Sequence, residues 1–263
     1  KQEWQLDGSA IPLEIKDSFV KQFQDHLPYQ FTKAQVDAIN DILIDIKQGK
    51  PMSRLLQGEV GSGKTVVATI AMMASVVNGY QTALMSPTEI LAEQHFASLQ
   101  NILSEFGEVT QVNQYTVEIN GIDLFDKIRL CLLVGSLTKK EKTNLHQMIA
   151  EGKVHLIIGT HAIIQDDVNI PNLALAVVDE QHRFGVIQRE TIRKKGSRPH
   201  LLVMSATPIP RSLMLTIYGD LDVSTIDEMP KGRLPVETKW VTKRQEVYRF
   251  IEEQVDMGNQ AFI

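Results

Sequence analysis

Gly58-Glu59-Val60-Gly61-Ser62-Gly63-Lys64-Thr65 stands between an apolar, strand-like run, Met52 to Leu56, and an apolar, helix-like run, Val66 to Val77. Two glycines separated by four residues, followed by Lys and Thr, make the pattern of a phosphate-binding loop. Each residue type has a physical task. Glycines let successive N–H groups turn toward one point, where the first turn of the following helix adds partial positive charge. Lys64 is placed to reach the outer phosphates of a nucleoside triphosphate, and the Thr65 hydroxyl to complete the shell of a Mg²⁺ ion that keeps several waters. The whole stretch, Gly58, Glu59, Val60, Gly61, Ser62, Gly63, Lys64 and Thr65, is therefore a candidate nucleotide site with ATP and Mg²⁺ as its ligands.

The loop belongs to a chain with the composition of an ordinary globular protein. Its 263 residues suffice for a substantial core in one or two domains. A formal net charge of −5 argues against a blanket electrostatic grip on nucleic acid, though not against a local basic groove. The single cysteine, Cys131, lies in an apolar run and has no internal disulfide partner, so a buried structural thiol is expected. No apolar stretch is long enough to span a bilayer and the start lacks a signal-type core, which predicts a cytoplasmic protein.

Upstream of the loop, residues 1–12 carry no clear period and read as a linker. From Leu13 to Leu27 apolar residues recur at helical spacing and Pro28 ends the run, which predicts a packing helix. Phe31-Thr32-Lys33-Ala34-Gln35 opens a second helix, with Thr32 as N-cap. Alone this is only a capped helix. Ahead of a phosphate loop, the Gln35 amide is also a candidate to donate one bond to adenine and accept another, with Phe31 beside it.

Downstream, Thr82 to Ser86 reads as a strand, and Pro87-Thr88-Glu89 leads into a helix capped by Thr88 or Ser86. The order strand, loop, helix, strand, loop, helix predicts an α/β fold with a mostly parallel sheet and helices on its faces, and ligands at the strands' carboxyl ends. Residues 107–128 break that rhythm: near-alternating apolar positions and the turn signal Asn120-Gly121 predict a hairpin insertion. Lys139-Lys140-Glu141-Lys142 opens a helix and reads as a solvated face before it reads as a DNA contact.

Leu156 to Gly159 is a strand that runs into Thr160-His161. Leu173 to Val178 is a buried strand ending in Asp179-Glu180-Gln181-His182, the second chemical focus. A carboxylate at a strand tip beside a phosphate loop can hold Mg²⁺ through its waters, and the next can orient the attacking water. Leu201 to Met204 ends in Ser205-Ala206-Thr207, hydroxyl residues at another strand end, which alone are also a plain capped turn before a helix.

Together Gln35, the loop 58–65, Ser86 to Glu89, Gly159 to His161, Asp179 to His182 and Ser205 to Thr207 stand in the order found in superfamily 2 helicases. Three longer stretches, Gln57 to Thr65, Asp179-Glu180-Gln181-His182-Arg183-Phe184-Gly185-Val186 and Gly219 to Glu228, resemble RecG-type helicases, the bacterial enzymes that act on branched DNA. The resemblance runs from about Phe31 onward. Mfd-type translocases are similar, but their acidic box usually carries Glu where this chain has Gln181. RNA helicases with acidic boxes ending in His are a further alternative.

The resemblance implies a RecA-like P-loop NTPase lobe over residues 28–230, preceded by the linker and packing helix of 1–27. It puts Lys64 and Thr65 on phosphate and metal, Asp179 on metal, and Glu180 on the attacking water. Gln181, His182, Ser205, Ala206 and Thr207 become coupling residues. Pro87, Thr88, Glu89, Gly159, Thr160 and His161 become the track for a DNA backbone, with branched double-stranded DNA as the partner of the full-length protein. The basic cluster Arg193, Lys194, Lys195 and Arg198 is a weaker candidate, since exposed basic runs are usually solvated. RecG-type proteins also carry an upstream wedge domain and a second motor lobe. Nothing before Phe31 is long enough for the wedge, and 231–263 reads as the start of the second lobe: a strand near Glu237 to Val241, a helix from Arg244 to Met257 and a strand start at Ala261. The isolated piece is expected to be nearly inactive, because the second lobe's arginines, worth about 10³ to 10⁵ in rate in related chemistry, are not in it.

Overall fold

The computed structural model describes residues 10–122, 125–179, 191, 195, 198–207, 221–228 and 237–262. The chain divides into two compact units between Pro230 and Lys231.

The first unit is built on a nine-stranded sheet. Its strands are β1 (Ser53–Gly58), β2 (Gln81–Met85), β3 (Glu108–Asn113), β4 (Thr116–Ile122), β5 (Phe125–Leu133), β6 (Leu156–Gly159), β7 (Leu173–Asp179), β8 (His200–Ser205) and β9 (Asp222–Ile226). They lie in the order β3-β4-β5-β6-β2-β7-β8-β1-β9. From β5 to β9 every pair is parallel. Every residue of β2 and β7 is buried. Successive side chains of a strand point to opposite faces, so both faces are covered, which is why these strands read as unbroken apolar runs. The helices are α1 (Phe19–His26), α2 (Lys33–Lys47), α3 (Lys64–Val76), α4 (Glu89–Ser104) and α5 (Lys139–Ala150). In α3 all residues from Val66 to Val76 are buried, so this helix has no solvent face. The α/β fold, a mostly parallel sheet with helices on both faces, is the one expected.

Caps appear where the sequence places them. Thr32 and Gln35 form a reciprocal capping box on α2, Thr138 and Glu141 another on α5, and the Thr88 hydroxyl accepts from Leu91 N–H at the start of α4. α1 starts at Phe19 rather than near Leu13. The residues before it are used differently: Ala10 N–H donates to Gly49 O at 2.9 Å and Leu13 N–H to Ile46 O at 3.2 Å. They thereby serve carbonyls at the end of α2 that no helical donor reaches. Leu13, Phe19, Phe23 and Leu27 remain buried.

Residues 107–128 correct the expected turn. β3 pairs antiparallel with β4, with Asn113 opposite Thr116, and β4 pairs antiparallel with β5, with Ile122 opposite Phe125. The segment is a three-strand meander joined to the parallel sheet through β5, and Asn120-Gly121 lies inside β4. Gly121 has φ 79°, a conformation that signals a turn in sequence but is accommodated here within the strand.

Two polar clusters, centred on buried Arg54 and buried His200, tie the sheet to its flanks. Arg54, on β1, donates from Nε to Asp45 Oδ2 at 2.8 Å and from Nη1 to Ser224 Oγ at 2.8 Å, and Ser224 Oγ donates to Asp41 Oδ2 at 2.7 Å. This joins α2, β1 and β9. At the start of β8, His200 Nδ1 accepts Met52 N–H at 3.0 Å. The other ring nitrogen then carries the proton and faces Ile11 O at 3.4 Å. Burial pushes this imidazole down to about 4, against the opposing pull of Ile11 O and Asp45. Cys131 is fully buried, and desolvation pushes its thiol up to about 12, as expected of a structural cysteine.

In the second unit the expected helix is present as α6 (Arg244–Asp256), with none of its residues buried. Residues 237–241, expected as a strand, form none: an extended segment becomes a strand only by pairing, and no strand pairs with it among the described residues. Residues 259–262 are likewise irregular. Among the described residues no helix is long and apolar enough to cross a membrane.

Candidate functional site

The carboxyl ends of the parallel strands form one edge. Gln57 is level with Ser205, Asp179 with Met204, and Met85 with both Val178 and Gly159. The ends of β1, β2, β6, β7 and β8 therefore lie side by side, and the residues expected to carry chemistry stand in sequence at or just after them.

The loop after β1 is held by its own backbone. Ser62 N–H closes a turn on Glu59 O at 3.1 Å. Gly61 and Gly63 have φ of 80° and 91°, left-handed values that side chains resist. Gly63 caps α3, the helix that Lys64 and Thr65 open. Lys64 Nζ donates to Gly58 O at 2.7 Å and Glu59 O at 2.8 Å, so the ammonium lies over the loop on neutral carbonyls that phosphate oxygens would outbid. Ser62 Oγ is buried inside the loop without a hydrogen-bond partner among the described residues. A concave backbone with a free internal hydroxyl, a lysine at its mouth and a helix N-terminus behind it fits a polyphosphate.

Gln35 is 3% exposed and is built into that loop. Its Oε1 accepts Thr32 N–H at 2.9 Å and its Nε2 donates to Ser62 O at 2.8 Å. A Cβ on Gly63 would stand 2.2 Å from Nε2. The amide thus couples the start of α2 to the phosphate loop, through its oxygen on one side and its nitrogen on the other. Phe31 is half-buried against the core, and its N–H donates to Gln24 Oε1 at 2.9 Å. Nearby, a cavity of about 430 Å³ opens between Gln57, Gly58, Glu59, Ala206 and residues 225–228. Glu228 Oε2 accepts Ala34 N–H at 3.2 Å, a carboxylate on the first turn of α2 that the sequence alone does not reveal.

Asp179 ends β7 at 8% exposed. Its Oδ2 lies 2.6 Å from His95 Nε2, on α4. His95 is the functional candidate that sequence reasoning missed. Its only signal is its place on the face of α4 marked by buried Ala92, Phe96 and Leu99. Oxygen donors, the Asp179 carboxylate and the half-buried Thr65 hydroxyl, suit Mg²⁺, which takes few protein ligands and keeps waters. Glu180, Gln181 and His182 lie outside the described residues.

At the neighbouring strand ends Pro87 is half-buried and Thr88 and His161 are exposed. Glu89 Oε1 accepts Ser136 N–H at 3.0 Å, so this carboxylate braces the turn after β5. Gly159 is required by packing: a Cβ there would lie 2.0 Å from Leu133 O. Thr160 is buried, and its hydroxyl has no partner among the described residues. Ser205 Oγ and Thr207 Oγ1 are 3.1 Å apart, and Gln57 Nε2 donates to Thr207 O at 3.2 Å. Ser205, Ala206 and Thr207 are in this way tied to the residue that precedes the phosphate loop.

Residues 32–216 match the DEAD/DEAH box helicase family. The chain belongs to that family. Its similarity to RecG helicases extends over its whole length. It is 46% identical to ATP-dependent DNA helicase RecG of Streptococcus pneumoniae over all of this chain and 36% of that protein. It is 44% identical to RecG of Aquifex aeolicus over 97% of this chain and 30% of that protein. A solved RecG bound to a three-way DNA junction superposes with a TM-score of 0.79 at 41% identity, covering 100% of this chain and 33% of the other. The DNA-bound helicase MrfA shares the fold, with a TM-score of 0.61 at 18% identity over 94% of this chain and 36% of the other. The chain spans about a third of the length of the curated relatives it matches.

One helicase expectation needs correction. Lys195 is not a free cation for DNA: Nζ donates to Gln165 O at 2.6 Å and Val168 O at 2.5 Å. Burial pushes its ammonium below the usual lysine range, with Asp166 and Asp167 opposing. Arg198 is half-buried with φ 58°. Arg193 and Lys194 lie outside the described residues. In the Lys139 to Lys142 stretch Lys139 and Lys140 are exposed, while Lys142 is half-buried with its Nζ donating to Gly135 O at 2.7 Å.

Proposed function

We propose that this chain is the nucleotide-binding lobe of an ATP-driven motor that moves on double-stranded DNA and, in a RecG-type enzyme, remodels branched DNA such as stalled forks and Holliday junctions. The observation that carries the reading is the alignment at one sheet edge of a lysine-closed phosphate loop with Asp179. The similarity to RecG proteins supplies the substrate class.

In this reading Gly58 to Gly63 cradle the phosphates, Lys64 leaves its two carbonyls for the outer phosphate oxygens, and Gln35 offers its remaining N–H to adenine. Thr65 and Asp179 would hold Mg²⁺, which would supply positive charge against the charge that develops on the phosphate oxygens. Glu180 orients the attacking water. Gln181, His182, Ser205 and Thr207 pass the change at the phosphate to the rest of the motor; the Gln57–Thr207 bond gives the last of these a direct mechanical link to the loop. Pro87, Thr88, Glu89, Gly159, Thr160 and His161 present hydroxyl and backbone groups to the phosphates of a DNA strand, contacts that position without reading sequence. The chain spans about a third of the length of its RecG relatives, and an arginine from the remainder of such a protein would stabilise the transition-state charge.

The test is single-turnover hydrolysis of ATP by this chain and by a chain extended to the length of its relatives, each with branched DNA, with duplex DNA and with RNA. Slow, DNA-indifferent turnover by this chain and strong stimulation of the longer one by branched DNA are expected. Stimulation by RNA instead of DNA would contradict the substrate class.

A further inference from the structure

The Mg²⁺ ligand of the proposed function is not held by its own strand alone. Asp179 shares a hydrogen bond with His95, a residue 84 positions earlier, and both side chains are only 11% exposed. A carboxylate at a strand end has two oxygens and a rotatable χ1. One oxygen is fixed here by the imidazole, and the direction of the other is thereby set as well. The histidine is itself fixed. It lies three residues beyond buried Ala92 and four before buried Leu99, spacings that put it on the packed face of α4. α4 leaves β2, which pairs directly with β7, with Met85 level with Val178. The first turn of the helix is pinned by the Thr88 cap and by the Glu89 bond to Ser136 N–H.

We propose that His95 is a positioning residue for the metal site. It presets the Asp179 carboxylate in the orientation that receives Mg²⁺ with the nucleotide. This rests on the nucleotide reading given above and adds to it a residue outside every helicase motif quoted from the sequence. Partners of this kind orient the first ligands of a metal, and their loss typically costs about 10- to 100-fold in metal affinity. The placement also has a consequence for the motor. The helix that carries His95 begins at Thr88 and Glu89, two of the proposed DNA-track residues, so one rigid element spans from the track to the metal ligand.

Two polar substitutions separate positioning from bulk packing. In His95→Gln the amide nitrogen occupies the place of Nε2 and can still donate to Asp179. In His95→Asn the amide ends at the place of Nδ1 and falls short. Both are measured in this chain by binding of a fluorescent ATP analogue across a Mg²⁺ titration, with helicity followed by circular dichroism. Affinity without Mg²⁺, which reports the phosphate loop, is expected to stay within about twofold of the parent for both variants. The Mg²⁺ concentration at half-effect is expected to rise about tenfold or more in the Asn variant and to stay within about threefold in the Gln variant. If the parent responds to Mg²⁺ and the Asn variant keeps the same midpoint, the proposal fails and the nucleotide reading stands. Equal weakening of both variants without Mg²⁺ marks a packing role and also overturns it. A parent chain indifferent to Mg²⁺ overturns the metal site and the proposal together.

Discussion

The phosphate loop and the end of β7 sit at the same sheet edge but are made in opposite ways. The loop is nearly self-contained: its turn, its left-handed glycines and the Lys64 bonds to Gly58 and Glu59 all fall within eight consecutive residues, 58–65. The β7 end is distributed. Asp179 depends on His95 from another helix, and the strand reaches the loop only through β8. A local site survives changes in its surroundings and fails when its own residues change. A distributed site fails through its neighbours.

The largest expected effect falls on the scaffold that both regions share. His200 anchors the start of β8, which pairs with β1 on one side and β7 on the other. Its folded-state value of about 4 lies below the ordinary value of 6.5, so between those limits the unfolded chain binds a proton that the folded chain refuses. Stability is therefore intact above pH 6.5 and falls as the pH drops to about 4, by about 3 kcal/mol in total from this group. Urea unfolding at several pH values should show the slope. In His200→Asn, where Oδ1 can still accept Met52 N–H, this contribution should vanish.

Next in size is Lys64→Ala, which removes a charged contact worth about 2–3 kcal/mol. Nucleotide affinity should fall about 100-fold with and without Mg²⁺, while the fold and the Asp179–His95 bond persist. Gly63→Ala sharpens a point where the loop meets a residue outside it, Gln35. Its φ of 91° and the close approach to Gln35 Nε2 should cost about 1–3 kcal/mol of stability and release the Gln35–Ser62 bond, both visible in unfolding midpoints and amide exchange. Smallest is Asp179→Asn, expected to raise the Mg²⁺ midpoint about tenfold and to leave Mg²⁺-free binding intact. If it lowered both alike, the two regions would be one site and the contrast would be wrong.

The same contrast explains what the sequence could show. The loop, the Thr32 and Thr88 caps and the buried strands β2 and β7 are local patterns whose meaning needs no partner. Asp179 was legible as a strand-end carboxylate, but its partner was not. His95 meets it only because β2 and β7, far apart in sequence, are neighbours in the sheet. Position offers the Gln35 amide to a base as donor and acceptor, whereas in the structure its Oε1 takes Thr32 N–H and its Nε2 gives to Ser62 O, and the second bond is one that spacing cannot reveal. The meander misled for a different reason. Asn-Gly favours positive φ, and Gly121 has it, but the register of β4 with β5 carries the strand through that residue. Lys195 looked like a solvated charge until the 165–168 loop was seen to wrap its ammonium.

The most direct test of the account is a calorimetric titration of Mg·ATP into this chain, repeated with inorganic pyrophosphate present. One-site binding that pyrophosphate displaces is predicted, because the loop at 58–65 grips phosphates before anything else. No binding, or binding indifferent to pyrophosphate, would contradict it.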